Sequence, residues 1–234
     1  MRAKRVVFRR RRAAEVEEYD VLPPREGEVL IQTMKTLISP GTELTLLSGD
    51  YPPNSYWATY GKLPFVAGYS NVGKIIKIGT RVEGLKEGDL VASRGPHAQY
   101  VTVNLTSPAP DVVKVPDGLG QEEATFHTLA ATVMNSVRLA HVSMGDATVV
   151  MGTGILGQFA AMFSRVCGSL PVIAVDPSRS RLEKAETSGA TELIDPTSKP
   201  LQDEVSRITK ARLADVVFEV TGIPDLISAE LWLL

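Results

Sequence analysis

Two patterns of apolar and polar positions follow one another along the chain. Up to about residue 118 the apolar residues fall in short runs: "KRVVF", "EVLIQTMKTLI", "NVGKIIKIG", "DLVAS", "QYVTVN" and "VVKVP". Clusters of Gly and Pro separate them, among them "LPPREGE", "SPGTE", "YPPN", "KEGD", "SRGP" and "VPDG". Short strands at such spacing, with turn residues between, predict a small β-barrel or sandwich over residues 1–118. From 119 to 234 the pattern alternates instead. "EEATFHTLAATVMNSVRLA" predicts a helix, "ATVVMG" a strand, "ILGQFAAMFSRVCG" a helix, "PVIAVD" a strand and "PSRSRLEKAETSG" a helix ending at Gly189. "TELID", "LQDEVSRIT" and "ADVVFEV" continue as strand, helix and strand. In the second helix Ile155, Phe159, Met162, Phe163 and Val166 share one face. Strand–helix alternation predicts parallel βαβ units, so the fold class is β followed by α/β.

Composition narrows the function classes. The 234 residues suffice for two modest domains, 44% of them are hydrophobic and 22% charged, and the formal net charge is −2. That balance predicts neither nucleic acid nor a membrane surface as partner. The run Arg9–Arg12 reads as the exposed end of a first hairpin, because acidic residues follow at once in "EVEEYD". One cysteine, Cys167, excludes a disulfide framework and a four-cysteine zinc lobe. No apolar run is of membrane-spanning length, and the basic N-terminus lacks the apolar stretch of a secretory signal. The expected compartment is the cytoplasm.

The strongest chemical signal is "VVMGTGILGQF". Gly152, Gly154 and Gly157 stand at G-x-G-x-x-G spacing after a predicted strand and at the opening of a predicted helix, with Asp176 at the end of the next strand. This context defines a dinucleotide site. Gly152 permits the tight turn, Gly154 lets backbone approach a pyrophosphate, and Gly157 allows helix and strand to pack closely. Thr153, Ile155 and Leu156 complete the turn and carry the helix N-terminus whose N–H groups face phosphate. Asp176 can accept from both ribose hydroxyls and would repel a 2′-phosphate, which favours NAD over NADP. Arg179 and Arg181 nearby leave NADP open. Thr221, after the fourth strand in "FEVTG", falls where a doubly wound sheet binds ligand, or merely starts a turn.

Taken in order, "SPGTE", "AGYSNVGKIIKIG", "GDLVAS", "AQYVTV", the glycine motif with Asp176 and "ADVVFEVTG" resemble the medium-chain dehydrogenase/reductase superfamily over essentially the whole chain. The resemblance implies a GroES-like β-barrel domain followed by a Rossmann domain, with the active site in the cleft between them. It also implies where catalytic zinc would sit in zinc-dependent members: a Cys before a Gly-Thr-Asp turn, a His after Gly, and an acidic residue ahead of Pro-Leu-Ala. Here those places hold Ser39-Pro40 before Gly41-Thr42-Glu43, Gly68-Tyr69-Ser70, and His127 in "FHTLA". The chain is therefore expected to carry no zinc and to be similar to the branch containing bacteriochlorophyllide a dehydrogenase, with Ser70 replacing the acidic residue expected there. His97 and His141 sit in no ligand spacing and are read as loop or surface positions.

The resulting expectation is a zinc-independent oxidoreductase that transfers a hydride between NAD(H) and an alcohol/ketone substrate. Tyr69, His127, Ser39 and Thr42 are its candidate proton-handling and oxyanion-binding groups. Alternatives are an enone or quinone reductase of the same superfamily, and a non-catalytic nucleotide-binding or interaction module. Tyr69 filling the space of an absent metal, and His127 satisfied by a neighbouring carbonyl, are the corresponding structural readings. Tyr51, Tyr56, Trp57 and Tyr60 either wall an apolar substrate pocket or pack on their own domain. The resemblance also implies further Rossmann strands beyond residue 234. Leu231, Trp232, Leu233 and Leu234 are accordingly expected to lack cover and to form a sticky edge, compatible with a homo-oligomer.

Overall fold

The computed structural model describes residues 1–106 and 111–234. They form two compact units, Met1–Thr128 and Leu129–Leu234. In the first, β1 (Arg2–Arg10) and β2 (Ala13–Asp20) make the predicted hairpin, with Val6 opposite Val16. Arg12 turns the chain at a positive φ of 58°. Arg5 and Arg9 both pair with Glu17 and Arg10 approaches Glu15, so the start of the basic run faces its own hairpin partner, while Arg12 pairs with Asp50. β4 (Phe65–Val66) adds to the free edge of β1.

A second, antiparallel sheet is built from β3 (Glu28–Thr36), β5 (Asn71–Ile78), β6 (Leu90–Ser93), β7 (Tyr100–Asn104) and β8 (Val112–Lys114), in the order β7-β3-β5-β6-β8. The unbroken apolar run of β3 has a reason: both of its faces are covered. Val29 and Ile31 point into a core with Ile75, Val91 and Val112, while Leu30 packs the other way on Ala3 and Val21.

"SPGTE" and "YPPN", read as turn punctuation, instead lead into helices. α1 (Pro40–Ser48) places its proline at the first helical position, where the missing N–H costs nothing, and ends at Gly49 in the left-handed region. α2 (Tyr56–Tyr60) stacks Tyr56 on Tyr60 at 5.5 Å and sets Tyr60 edge-on to Phe65. Trp57 packs on the cluster of Phe8, Leu46 and Ala67. Trp57 and Tyr60 thus pack on their own unit, while Tyr56 is 73% exposed.

The second unit carries a parallel sheet, β11-β10-β9-β12, from β9 (Thr148–Met151), β10 (Val172–Val175), β11 (Glu192–Ile194) and β12 (Val216–Glu219). Every residue of β9 and β10 is buried, as parallel strands covered on both faces require. The predicted helix over residues 122–140 is split into α3 (Gln121–Ala124) and α4 (His127–Leu139). At the break the Thr125 hydroxyl donates to the Glu122 carbonyl, and the His127 ring takes the Ala124 carbonyl that a continuous helix would have used.

α5 (Ile155–Val166) corrects a second expectation. Its buried face is Gly157, Ala160, Ala161 and Ser164, whereas Val166, at the end of the predicted apolar stripe, is 80% exposed. Phe159 and Phe163 only flank the core. Close approach of helix to sheet selects small residues over large ones here. α6 (Arg179–Thr187) and α7 (Leu201–Thr209) follow β10 and β11, and α8 (Ile227–Glu230) leads into a last 3₁₀ turn. In that turn Leu231, Trp232 and Leu234 are exposed, but Leu233 is not. It is 1% exposed, inserted among Val149, Met151, Ile173 and Val205, and its carbonyl accepts from Ala214 N–H. One side chain of the expected sticky edge is thus a core residue.

Candidate functional site

The glycine turn of the second unit is fixed by main chain packed on main chain. Gly152 takes φ +87°, and a Cβ there would fall 3.0–3.1 Å from Thr221. A Cβ on Gly157 would lie 1.9 Å from the Gly152 carbonyl oxygen, so α5 can start this close to β9 only with hydrogen at position 157. A Cβ on Gly154 would meet nothing within 4 Å. Position 154 is therefore open, at the N-terminal end of a 12-residue helix whose first N–H groups and dipole favour an anion. Thr153 is fully buried, and its hydroxyl has no partner among the described residues.

Asp176 is 3% exposed and already engaged. Its Oδ2 accepts from Thr153 N–H at 2.9 Å and its Oδ1 from Ser178 N–H at 2.8 Å, with Arg181 3.7 Å from Oδ2. The carboxylate thus ties the glycine turn to the start of α6. Each oxygen keeps one further lone pair. Arg179 turns to Glu183 instead, at 3.0 Å.

Glu219, at the end of β12, was not anticipated from sequence. Its Oε1 accepts from Thr221 N–H, Thr221 Oγ1 and Gly222 N–H at 2.6–2.9 Å, building the turn that abuts Gly152. Its Oε2 is buried without a partner among the described residues, as is Oε1 of Glu230. Burial, and then the adjoining Glu219 carboxyl, pushes Glu230 up to about 7. A proton held on Glu230 gives that carboxyl a donor for the neighbouring carboxylate.

The first unit gathers the other predicted residues. Tyr69 Oη donates to Thr42 Oγ1 at 3.2 Å. The Tyr69 carbonyl and the His127 Nε2 both lie within reach of the Thr128 hydroxyl, at 3.2 and 3.0 Å. His127 Nδ1 faces the Ala124 carbonyl at 3.1 Å and must carry a proton to bond it. Burial lowers the His127 pKa, the Arg94 cation lowers it further, and the carbonyls of Ala124 and Ser93 oppose both. The neutral ring thus offers Nε2 to Thr128. Ser39 is buried at the N-cap of α1, where its backbone N–H donates to Glu43 Oε1 at 2.9 Å and its hydroxyl does not cap the helix.

His97 lies in the loop that precedes β7, as expected, but it is not a surface residue. Its side chain is 10% exposed and its Nε2 lies 2.9 Å from Oε2 of Glu43, itself 7% exposed. Tyr60 joins the same neighbourhood: burial raises its pKa, and the Tyr69 phenol and Glu43 carboxylate act on it. Only the backbone demand at Gly68, in the left-handed region against His97, hints at this pairing from sequence. Among the described residues no group of three or more His, Cys, Asp or Glu is placed to hold a metal ion, and no helix is long and apolar enough to cross a membrane.

The chain has two features: a curled antiparallel sheet whose unit carries a hydroxyl–imidazole cluster, and a parallel sheet with a glycine turn at the head of a helix. Known proteins combine the same two. The alcohol dehydrogenase GroES-like domain family matches residues 25–124, and the zinc-binding dehydrogenase family matches residues 156–234. The chain belongs to the medium-chain dehydrogenase/reductase superfamily. It is 33% identical over 172 residues to D-guloside 3-dehydrogenase of Shigella flexneri, covering 74% of this chain and 48% of that protein. It is 29% identical over 241 residues to L-threonine 3-dehydrogenase of Pyrococcus horikoshii, covering 90% and 66%. The chain spans about half to two thirds of the length of these relatives. In fold it is similar to Escherichia coli quinone oxidoreductase complexed with NADPH, with TM-score 0.83, 20% identity, and coverage of 99% of this chain and 70% of that one. An Escherichia coli oxidoreductase/dehydrogenase of unknown specificity involved in membrane biogenesis gives TM-score 0.88 at 22% identity, covering 100% and 74%.

Proposed function

We propose that this chain carries the nucleotide-binding and proton-handling parts of an NAD(H)-dependent, zinc-independent oxidoreductase acting on an alcohol/ketone pair in the cytoplasm. The observation that supports it most is the open Gly154 at the N-terminus of α5, backed by a carboxylate, Asp176, that orders the turn. Gly152, Thr153, Gly154, Ile155, Leu156 and Gly157 would seat the pyrophosphate, and Thr221 would support the turn from below. Asp176 would use its remaining lone pairs on the ribose hydroxyls, which favours NAD. Arg181 is the residue through which NADP could be accommodated.

When bound, the nicotinamide supplies or accepts the hydride at the reacting carbon. The chain's own residues manage the proton. Tyr69 Oη, bonded to Thr42, hydrogen-bonds the substrate oxygen and gives or takes its proton. Thr42 stabilises the phenolic oxygen when it is charged. His127, kept neutral by burial, accepts from Thr128, which also reaches the Tyr69 carbonyl, so a proton gained by His127 alters the bonding at the Tyr69 backbone. Ser39 forms part of the polar wall around this pair.

Zinc independence is supported by the donor set. Ser39 offers a neutral hydroxyl where a thiolate would be wanted, the Tyr69 phenol is engaged with Thr42, and both His127 nitrogens are engaged with Ala124 and Thr128. The same phenol could protonate the oxygen of an enone or quinone.

The test is a titration of the chain with NADH and NADPH, followed by energy transfer from tryptophan, together with zinc analysis and a screen of alcohols, ketones, enones and quinones. Saturable binding that favours NADH and is lost in Gly154→Val supports the reading. No nucleotide binding by folded protein, or one tightly held zinc per chain, would overturn it.

A further inference from the structure

Three distances around Tyr69 and Thr42 are uneven. The hydroxyl contact itself, at 3.2 Å, is long for an O–H···O bond, whose usual length is about 2.7–2.8 Å. The bonds behind it have the ordinary length of N–H···O bonds. Glu43 accepts from the Ser39 N–H with Oε1 at 2.9 Å and from His97 with Oε2 at 2.9 Å. A carboxylate only accepts, so the proton in the second bond is on His97 Nε2.

Each bond holds one side of the contact. The Ser39 N–H belongs to the N-cap of α1, three residues before Thr42. His97 lies on the other side: its backbone N–H donates to the Ala67 carbonyl at 2.8 Å, and its ring rests on Gly68 so tightly that a Cβ there would fall 2.8 Å from ring carbons and 2.5 Å from the His97 nitrogen. Gly68 also needs φ +97°, and Tyr69 follows directly. Glu43 and His97 therefore clamp the turn that presents Thr42 to the turn that presents Tyr69. Burying such a pair gains little net stability over apolar residues of the same volume, so its value lies in geometry.

We infer that Glu43 and His97 are positioning residues, a buried clamp that sets the distance between Tyr69 Oη and Thr42 Oγ1. The inference rests on the proton-handling role proposed for Tyr69 and Thr42, and its test needs no turnover. His97 also lines a surface pocket of about 310 Å³ with Lys4, Arg5 and Gln99.

The experiment is ¹⁹F NMR of the chain labelled with 3-fluorotyrosine. The Tyr69 signal is assigned by its loss in Tyr69→Phe, and Thr42→Val gives its position when the hydroxyl contact is absent. In His97→Leu the Tyr69 signal should move most of the way to the Thr42→Val position. His97→Gln, whose amide reaches the place of Nε2, should return it toward wild type, while Tyr19, bonded to the Tyr100 carbonyl, stays in place in every variant. His97→Gly should show the same displacement and recover when imidazole is added. Glu43→Gln keeps the side-chain shape and should move the signal in the same direction by a smaller amount, and it decides the matter if the His97 variants do not fold. A Tyr69 signal left at its wild-type position in the folded variants would overturn the clamp. A signal that moves in a protein that turns over no substrate supports the clamp and removes only the catalytic reading.

Discussion

Around Gly152 the atoms are placed by backbone lying on backbone: Gly157 against the Gly152 carbonyl, Gly152 against Thr221, and Asp176 bonded to two N–H groups. Around Tyr69 they are placed by side chains reaching across the fold: Glu43 to His97 over 54 residues, Tyr69 to Thr42 over 27 and Thr128 to Tyr69 over 59. The first arrangement depends on the absence of side chains, the second on their presence. The two regions should fail in different ways. A single added methyl group breaks the glycine turn, whereas the cluster loosens by degrees as its bonds are removed.

The sharpest way to break the contrast is Gly157→Ala. With its Cβ 1.9 Å from a carbonyl oxygen, backbone must shift, and overpacking of that kind costs about 3 kcal/mol or more. The expected result is cooperative loss of the second unit's structure in thermal melts. Gly154→Val tests the opposite side. Its Cβ meets nothing and its φ is −66°, so stability should stay within about 1 kcal/mol of wild type while nucleotide affinity falls at least about tenfold.

Acid separates the two regions more gently, and with opposite sign. Glu230 is pushed up to about 7, above its unfolded value, so its contribution to stability is full at low pH and lost as pH rises through about 7. His127 is shifted down, so the unfolded chain binds its proton more readily. That contribution is full above its ordinary value and lost as pH falls below it. Between about pH 7 and pH 5 the second unit should therefore gain from Glu230 while the first loses from His127. Denaturant midpoints read separately for the two units check this. Glu230→Gln should remove the pH dependence from one and His127→Asn from the other. The smallest effect is reserved for Val166→Ser, at an exposed helix end, which should change stability by no more than about 0.5 kcal/mol.

This division of labour explains what could be read from the chain. Gly152, Gly154, Gly157 and Asp176 lie within 25 residues of one another, and each answers a local backbone demand, so spacing alone exposes them. Most strands of the three sheets are legible for the same reason, the two-residue β4 being an exception. The helix break at Thr125–Phe126 is not, because it depends on the His127 ring taking a carbonyl, a choice that helical periodicity does not encode. The buried face of α5 is misleading for the converse reason: the longest apolar side chains suggest one face, but sheet contact through Gly157 selects the alanines. His97 is isolated in sequence and acquires its role only when β1, the Gly68 turn and α1 are assembled. Leu233 likewise becomes a core residue through contacts with strands some 60 to 85 residues earlier.

The last two glycines of the motif illustrate how one short turn can answer to two separate filters. A library sorted only for folded, well-expressed protein would leave position 157 as glycine and fill position 154 freely. A library sorted for nucleotide capture would close both. Comparing the residues that survive each sort would measure, position by position, how much of this turn belongs to architecture and how much to its ligand.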